Sequence, residues 1–299
     1  MKSARGRARS GGCSSVGSCF SRPHDCGWKE MMIEKRAYTA MVDGEDLHVC
    51  RLGTRGDSGQ DPTLVFLHEA LGSVAQWRDF PELLSAKCAL PALIYDRCGF
   101  GLSQPKVDSR GEGYLTRDME SLKSLLDDCS IEQAVLVGHS DGATLALLFA
   151  AAFPERVAAV VSEAAHLFVE DETLAGINAA VQRWKNTDFR RRLELYHGLK
   201  TEQVFWNWAG TWLDPAFRRW NIAAEVARVS CPVLAIQGGD DGFGTVRQLD
   251  TLCTLVGGPH VRCLIDDCGH VPHHQAREEV LDEMARFVAG LDSCHRQPE

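Results

Sequence analysis

The chain has 299 residues, of which 44% are apolar and 24% charged. That is enough to bury one large core, or one core carrying an insertion, without disulfide or metal staples. The 41 acids against 32 bases give a net charge of −9, which argues against a nucleic-acid reader built on a broad basic surface. The longest nearly unbroken apolar stretch, Ala143 to Phe153 interrupted by Thr144, is 11 residues, well short of the roughly 20 that span a bilayer. Neither nucleic acid nor membrane is an expected partner, and a cytoplasmic location is the simplest expectation.

Residues 1–30 hold six bases and two acids, net +4 in a chain of net −9. They are rich in Ser, Gly and Arg and nearly free of aliphatic residues, a composition that cannot offset the entropy of ordering, so disorder is predicted there. An Arg- and Ser-rich, acid-poor leader also fits an organelle transit peptide, whereas the apolar core of a secretory signal is missing. The favoured reading is a dispensable tail, with Met31 or Met32 opening the folded part. The 12 cysteines include no Cys-x-x-Cys pair, which suits a reducing compartment better than a disulfide framework. Their densest grouping with histidine, Cys263, Cys268, His270, His273 and His274, matches no common zinc spacing, so no metal is expected.

Beyond the leader, segments Ala37–Val42 and Asp46–Leu52 flank Asp43-Gly44, a strong two-residue hairpin signal. After a polar loop, short apolar runs of buried-strand length follow at Leu64–Leu67, Ala92–Tyr95, Ala134–Val137, Val157–Val161, Val233–Ile236 and Val261–Ile265. Between them lie helix-period stretches, notably Thr116–Asp128, Gly142–Phe153 and Glu278–Leu291. Strand–helix alternation predicts an α/β fold, a mostly parallel sheet with helices on both faces.

One stretch breaks the rhythm. Residues 166–229 lack a good strand and contain 10 of the chain's 23 aromatics, including five of its seven tryptophans. This predicts a helical insertion over the carboxyl edge of the sheet. Its aromatics serve as the insertion's own core or as the lining of an apolar small-molecule pocket. The domain division is then 1–30 as leader, 31–165 and 230–299 as core, and 166–229 as cap. No repeat is visible, and Gly238-Gly239-Asp240-Asp241-Gly242 lacks the spacing of a dinucleotide fingerprint, so no cofactor is indicated.

The run Ala134–Val137 leads into Gly138-His139-Ser140-Asp141-Gly142 and then an apolar helix. Gly-x-Ser-x-Gly between strand and helix holds the serine in a strained turn with its hydroxyl exposed, and side chains at the flanking glycines would meet neighbouring backbone. Read blandly, the same residues are a glycine-rich β–α turn without chemistry. A serine nucleophile needs a base and a group orienting it, and two later strands end in Asp240-Asp241 and in Asp266-Asp267-Cys268-Gly269-His270. Carboxyl ends of parallel strands share one edge of the sheet, where Ser140, an aspartate and His270 can converge.

On these residues, from about 37 to 291, the chain resembles the α/β-hydrolase superfamily: strand–helix order, nucleophile elbow, late acid, terminal histidine. The resemblance implies Ser140 as nucleophile and His270 as base. It puts the acid three residues after Gly238, at Asp241, with Asp240 and Glu163 as alternatives. The implied oxyanion donors are the backbone N–H groups of Asp141 and Ala70, the latter in His68-Glu69-Ala70-Leu71-Gly72, where Glu69 replaces the family's usual glycine. The family's Asp-x-Arg-Gly-x-Gly-x-Ser is echoed as Asp96-Arg97-Cys98-Gly99-Phe100-Gly101-Leu102-Ser103. There Cys98 stands at the arginine position and Arg97 one place early. That segment is read as a structural turn, Cys98 as a candidate reactive thiol, and His273 and His274 as surface or capping groups. The implied function is a cofactor-independent serine hydrolase acting on a small apolar carboxylic ester or lactone. The alternatives are hydrolysis of a carbon–carbon bond in a ring-cleavage product, or a slow ligand-binding receptor. A small-molecule substrate and a possible homo-oligomer complete the expectations.

Overall fold

The computed structural model describes residues 34–53, 61–106, 111 and 113–295; the predicted leader lies outside them. Strands β1 (Glu34–Val42) and β2 (Glu45–Gly53) form the expected hairpin. Its two-residue turn puts both Asp43 and Gly44 at positive φ, 52° and 83°, the backbone that matches the twist of the flanking strands. Six further strands follow: β3 (Thr63–Leu67), β4 (Ala92–Tyr95), β5 (Ala134–His139), β6 (Val157–Glu163), β7 (Val233–Gly238) and β8 (His260–Ile265). The sheet order is β1-β2-β4-β3-β5-β6-β7-β8. β1–β2 and β2–β4 pair antiparallel, and every later pair is parallel.

Strands β3, β4, β5 and β7 are buried along their whole length, which their unbroken apolar runs dictate. The two-residue period of a strand then sorts side chains onto two faces. Leu64, Phe66, Ile94, Val135 and Val137 pack with Phe80 and Leu84 of α1 (Phe80–Cys88) and with Val280 and Met284 of a C-terminal helix, Arg277–His295. Val65, Leu67, Leu93 and Leu136 pack on the other face with α2 (Tyr114–Asp128), α3 (Asp141–Ala152) and, through Leu249 and Leu252, with a helix over Val246–Leu255.

Between β6 and β7 come four α-helices: α4 (Asp171–Asn186), α5 (Phe189–His197), α6 (Thr201–Leu213) and α7 (Ala223–Val226). After β7 the chain completes α8 (Val246–Leu255), α9 (Pro272–Gln275) and α10 (Arg277–His295). Helices α1 and α8 were not among the expected helix-period stretches. Each is short, ten residues or fewer, and α8 is marked chiefly by Thr245, whose hydroxyl accepts the N–H of Arg247.

The helical segment is tied by polar contacts at its start and its middle to the segments that follow β3, β4 and β7. The buried Glu170 carboxylate receives Thr245 N–H (2.9 Å), Thr245 O–H (2.8 Å) and Gln248 Nε2–H (2.8 Å). His197, also buried, accepts Gly101 N–H at 3.0 Å and donates through Nε2 to the Leu71 carbonyl at 2.9 Å. At Gly176 an added Cβ would lie 2.3 Å from the Gly242 carbonyl oxygen, so α4 approaches the β7–α8 loop more closely than any side chain permits.

Candidate active site

The chain reverses its direction of growth across the sheet at β3: β4 lies to one side of it and β5 to the other. Crevices at such switch points collect the loops that leave the strands' carboxyl ends. Leu67 of β3 and Gly138 of β5 are register partners, so Ala70 and Ser140 emerge side by side. Ser140 sits in the turn at φ 53°, ψ −115°, a left-handed backbone that a non-glycine residue adopts only under constraint. The constraint is visible at the flanking glycines. A Cβ on Gly142 would meet Leu67 O at 2.0 Å, and one on Gly138 would meet Gly142 O at 2.4 Å.

Ser140 Oγ lies 2.9 Å from His270 Nε2, and His270 Nδ1 lies 2.9 and 2.8 Å from the two Asp241 carboxylate oxygens. A nitrogen facing a carboxylate carries the proton, so the imidazole is the Nδ1–H form with Nε2 open to the serine hydroxyl. The loops that bring the two residues together touch at Gly238, where a Cβ would meet Gly269 O at 2.2 Å and Cys268 O at 2.3 Å. Asp241 is held in turn by Gln237 Nε2–H at 2.6 Å and Phe243 N–H at 2.8 Å. Burial raises the carboxyl's pKa, but the hydrogen bond and charge of His270 outweigh it and hold Asp241 below the usual range. For His270 burial acts downward, and the Asp241 carboxylate overrides it to raise the imidazole.

The two alternative acids go elsewhere. Asp240 is exposed. Glu163, fully buried at the end of β6, accepts His273 N–H at 2.6 Å and His273 Nδ1–H at 2.9 Å. His273 is therefore no surface group: it is 4% exposed, with its ring 4.6 Å from that of Trp77. His274 is half-buried and faces the Gln76 carbonyl at 3.0 Å. His139, whose pKa burial pushes down to about 3, donates through Nε2 to the His270 carbonyl at 2.7 Å and so braces the loop that carries His270. Cys98 departs from the reading as a reactive thiol. It is 4% exposed, and burial pushes its pKa up to about 12, so it carries little thiolate at neutral pH.

Above Ser140 and His270 lies a cavity of about 280 Å³, at the small end for small-molecule sites. Glu69, Ala70 and Asp141 border it below. Its roof comes from helical periodicity: Thr173, Ile177 and Ala180 occupy one face of α4, Leu193 comes from α5, and Trp208 with Trp212 sit one turn apart on α6. The aromatic stretch thus divides in two. Trp208 and Trp212 line the cavity, while Trp184 stacks on Phe205 at 4.1 Å and Trp220 on Phe217 at 5.3 Å inside the helical layer. Glu69 faces the cavity with its carboxyl pushed up by burial.

Sequence reasoning missed the role of Arg97. Its guanidinium is buried and donates to Asp118 (2.9 Å), Asp141 (2.6 Å), and the carbonyls of His68 (3.0 Å) and Glu69 (2.9 Å). The one available signal was an arginine adjoining the family's arginine position. Among the described residues no group of three His, Cys, Asp or Glu side chains could hold a metal ion, and no helix is long and apolar enough to cross a membrane.

Comparison with known proteins finds hydrolases among the similar chains. The mouse (Mus musculus) protein "Serine hydrolase BPHL" is 28% identical over 258 residues, covering 83% of each chain. Among solved structures, the 2-hydroxy-6-oxo-6-phenylhexa-2,4-dienoate hydrolase (BphD) of Rhodococcus sp. strain RHA1 superposes with a TM-score of 0.71 at 18% identity, over 85% of this chain and 99% of that one. The enol-lactonase of Burkholderia xenovorans LB400 gives 0.66 at 17%, over 84% and 100%. The family model described as alpha/beta hydrolase fold matches residues 62–229, more than half of the chain, and this protein belongs to that family.

Proposed function

We propose that the protein is a serine hydrolase that cleaves a small, largely apolar carboxylic ester or lactone through an acyl-enzyme, without a cofactor. The observation that carries this is the hydrogen-bonded line Ser140–His270–Asp241 at the floor of an apolar, aromatic-lined cavity. His270 Nε2 takes the Ser140 proton as Oγ attacks the acyl carbon, and Asp241 steadies the imidazolium that forms. The N–H groups of Ala70 and Asp141 receive the developing oxyanion; Asp141 opens α3, at the positive end of the helix. His270 then protonates the leaving alcohol. In the second half it deprotonates a water that attacks acyl-Ser140, releasing the acid and restoring the serine hydroxyl.

A second reading, hydrolysis of a carbon–carbon bond in an acidic ring-cleavage product, is favoured by one feature: Arg183 places a cation on the cavity wall, suited to a substrate carboxylate. The deciding experiment compares p-nitrophenyl acetate, p-nitrophenyl butyrate, a γ-lactone and a vinylogous diketo acid on wild type and Ser140→Ala, with intact-mass analysis after fluorophosphonate treatment. Ester or lactone turnover and a single adduct, both lost in Ser140→Ala, are the expected results. Turnover of the diketo acid alone would favour the second reading. A folded protein with neither turnover nor adduct would refute both and leave a ligand-binding protein.

A further inference from the structure

We propose that Arg97 is the positioning residue of the oxyanion hole: its single guanidinium fixes both backbone donors, Ala70 N–H and Asp141 N–H, relative to each other. The inference rests on the serine-hydrolase reading above and adds a residue to it.

The geometry is specific to the peptide that matters. The Ala70 N–H belongs to the same peptide unit as the Glu69 carbonyl, and in a trans peptide the two point in opposite directions. That carbonyl is gripped by three donors: Arg97 Nη2–H at 2.9 Å, His68 Nδ1–H at 2.7 Å and Gly72 N–H at 3.1 Å. Holding the oxygen on one side aims the N–H on the other, toward the cavity that Ala70 borders with Ser140. A cationic donor on the carbonyl also draws electron density from the amide and makes its N–H a stronger donor.

The same guanidinium bonds the preceding carbonyl, His68 O, at 3.0 Å, so two consecutive peptides of the loop hang from it. His68 is locked as well. Its Nε2 accepts Arg97 N–H at 3.1 Å, which leaves Nδ1 as the protonated nitrogen that faces Glu69 O. Through Nη1, Arg97 grips the Asp141 carboxylate at 2.6 Å, and Tyr114 O–H bonds its other oxygen. Asp118 completes the fork at 2.9 Å. Arg97 is 2% exposed, and the two aspartates keep it charged against desolvation. Lysine, with one nitrogen, cannot span two carbonyls and a carboxylate from a planar fork.

The test compares wild type with Arg97→Lys and Arg97→Gln, using Ser140-dependent hydrolysis of p-nitrophenyl butyrate. Two inhibitors accompany it: a butyl trifluoromethyl ketone, to which Ser140 Oγ adds to form an oxyanion, and the matching methyl ketone, which binds without addition. Arg97→Gln is expected to lower kcat about 10²-fold with KM within about twofold, as for loss of one oxyanion donor, with Arg97→Lys in between. Affinity for the trifluoromethyl ketone should fall in parallel with kcat/KM, while that for the methyl ketone stays. Unchanged kcat in folded variants, or equal losses for the two ketones, overturns the proposal and leaves the serine hydrolase intact. Failure of both variants to fold, read by thermal melting, also overturns it, since Arg97 would then be holding the fold. Absence of Ser140-dependent turnover in wild type removes the underlying reading itself.

Discussion

Asp241→Asn changes one heavy atom and tests how the imidazole is oriented. In the wild type both Asp241 oxygens are occupied: Oδ1 by Phe243 N–H at 2.8 Å and Oδ2 by Gln237 Nε2–H at 2.6 Å, with His270 Nδ1 astride the pair. An asparagine amide must put its NH2 against one of two donors. The backbone N–H of Phe243 cannot turn, so the NH2 falls to the Gln237 side, and Gln237 must flip and give up its 3.3 Å bond to Gly244 O. Nδ1–H then keeps only Oδ1, already shared with Phe243 N–H, and faces an NH2 donor where Oδ2 had been, which favours the tautomer with Nε2 protonated. That form cannot take the serine proton. The loss of tautomer control and of imidazolium stabilisation together is worth about 10⁴ in kcat, or roughly 5.5 kcal/mol of barrier. Single-turnover and steady-state hydrolysis of p-nitrophenyl butyrate by Asp241→Asn, Glu163→Gln and Asp240→Asn would measure it. A loss below about tenfold in Asp241→Asn, or a larger loss in Glu163→Gln, would refute the assignment and move the acid to β6.

Three further outcomes are expected. Gly142→Ala puts a methyl 2.0 Å from the Leu67 carbonyl oxygen, a backbone clash that no rotamer relieves; it should cost about 3 kcal/mol or more, a fall in Tm of roughly 6–12 °C by calorimetry. An unshifted melt would contradict the packing. In a pH profile of kcat/KM the base must be neutral in the free enzyme, and the Asp241 carboxylate raises His270, so the acid limb should lie above the ordinary histidine value of about 6.5; a limb below it would count against the pairing. His139 is held neutral by burial, down to about pH 3. Between about pH 6.5 and 3 the unfolded chain therefore takes up a proton that the folded one refuses, and stability falls as pH falls. Urea midpoints across that window should shift less in His139→Gln than in wild type, and equal shifts would show that His139 is not the group responsible.

How much of this was legible beforehand depends on whether the information is local. The hairpin at Asp43-Gly44, the buried strands and the elbow were readable because each is a short-range matter: positive φ at two turn residues, a strand buried on both faces, two glycines flanking a strained serine. The order of Ser140, Asp241 and His270 along the chain pointed to one sheet edge, since parallel strands share their carboxyl ends. Spacing favoured Asp241 and left Asp240 and Glu163 as alternatives. In the structure Asp241 faces His270 across 29 residues and Glu163 faces His273 across 110, contacts that depend on where distant strands lie in the sheet.

The same limit explains Arg97 and the tryptophans. An arginine one place out of register reads as a variant turn until the fold carries Asp118, Asp141 and two carbonyls of the β3 loop to its fork. A tryptophan count predicts an apolar layer, but only the angular placement of α4 and α6 decides that Trp208 and Trp212 face the cavity while Trp184 stacks on Phe205. The sequence by itself determined the elements and the order in which reactive residues leave the sheet, because periodicity and turn chemistry act between near neighbours. Tertiary structure alone decided which histidine met which carboxylate and what held the loop beside Ser140, because those contacts depend on strand order and on helices packing from far along the chain.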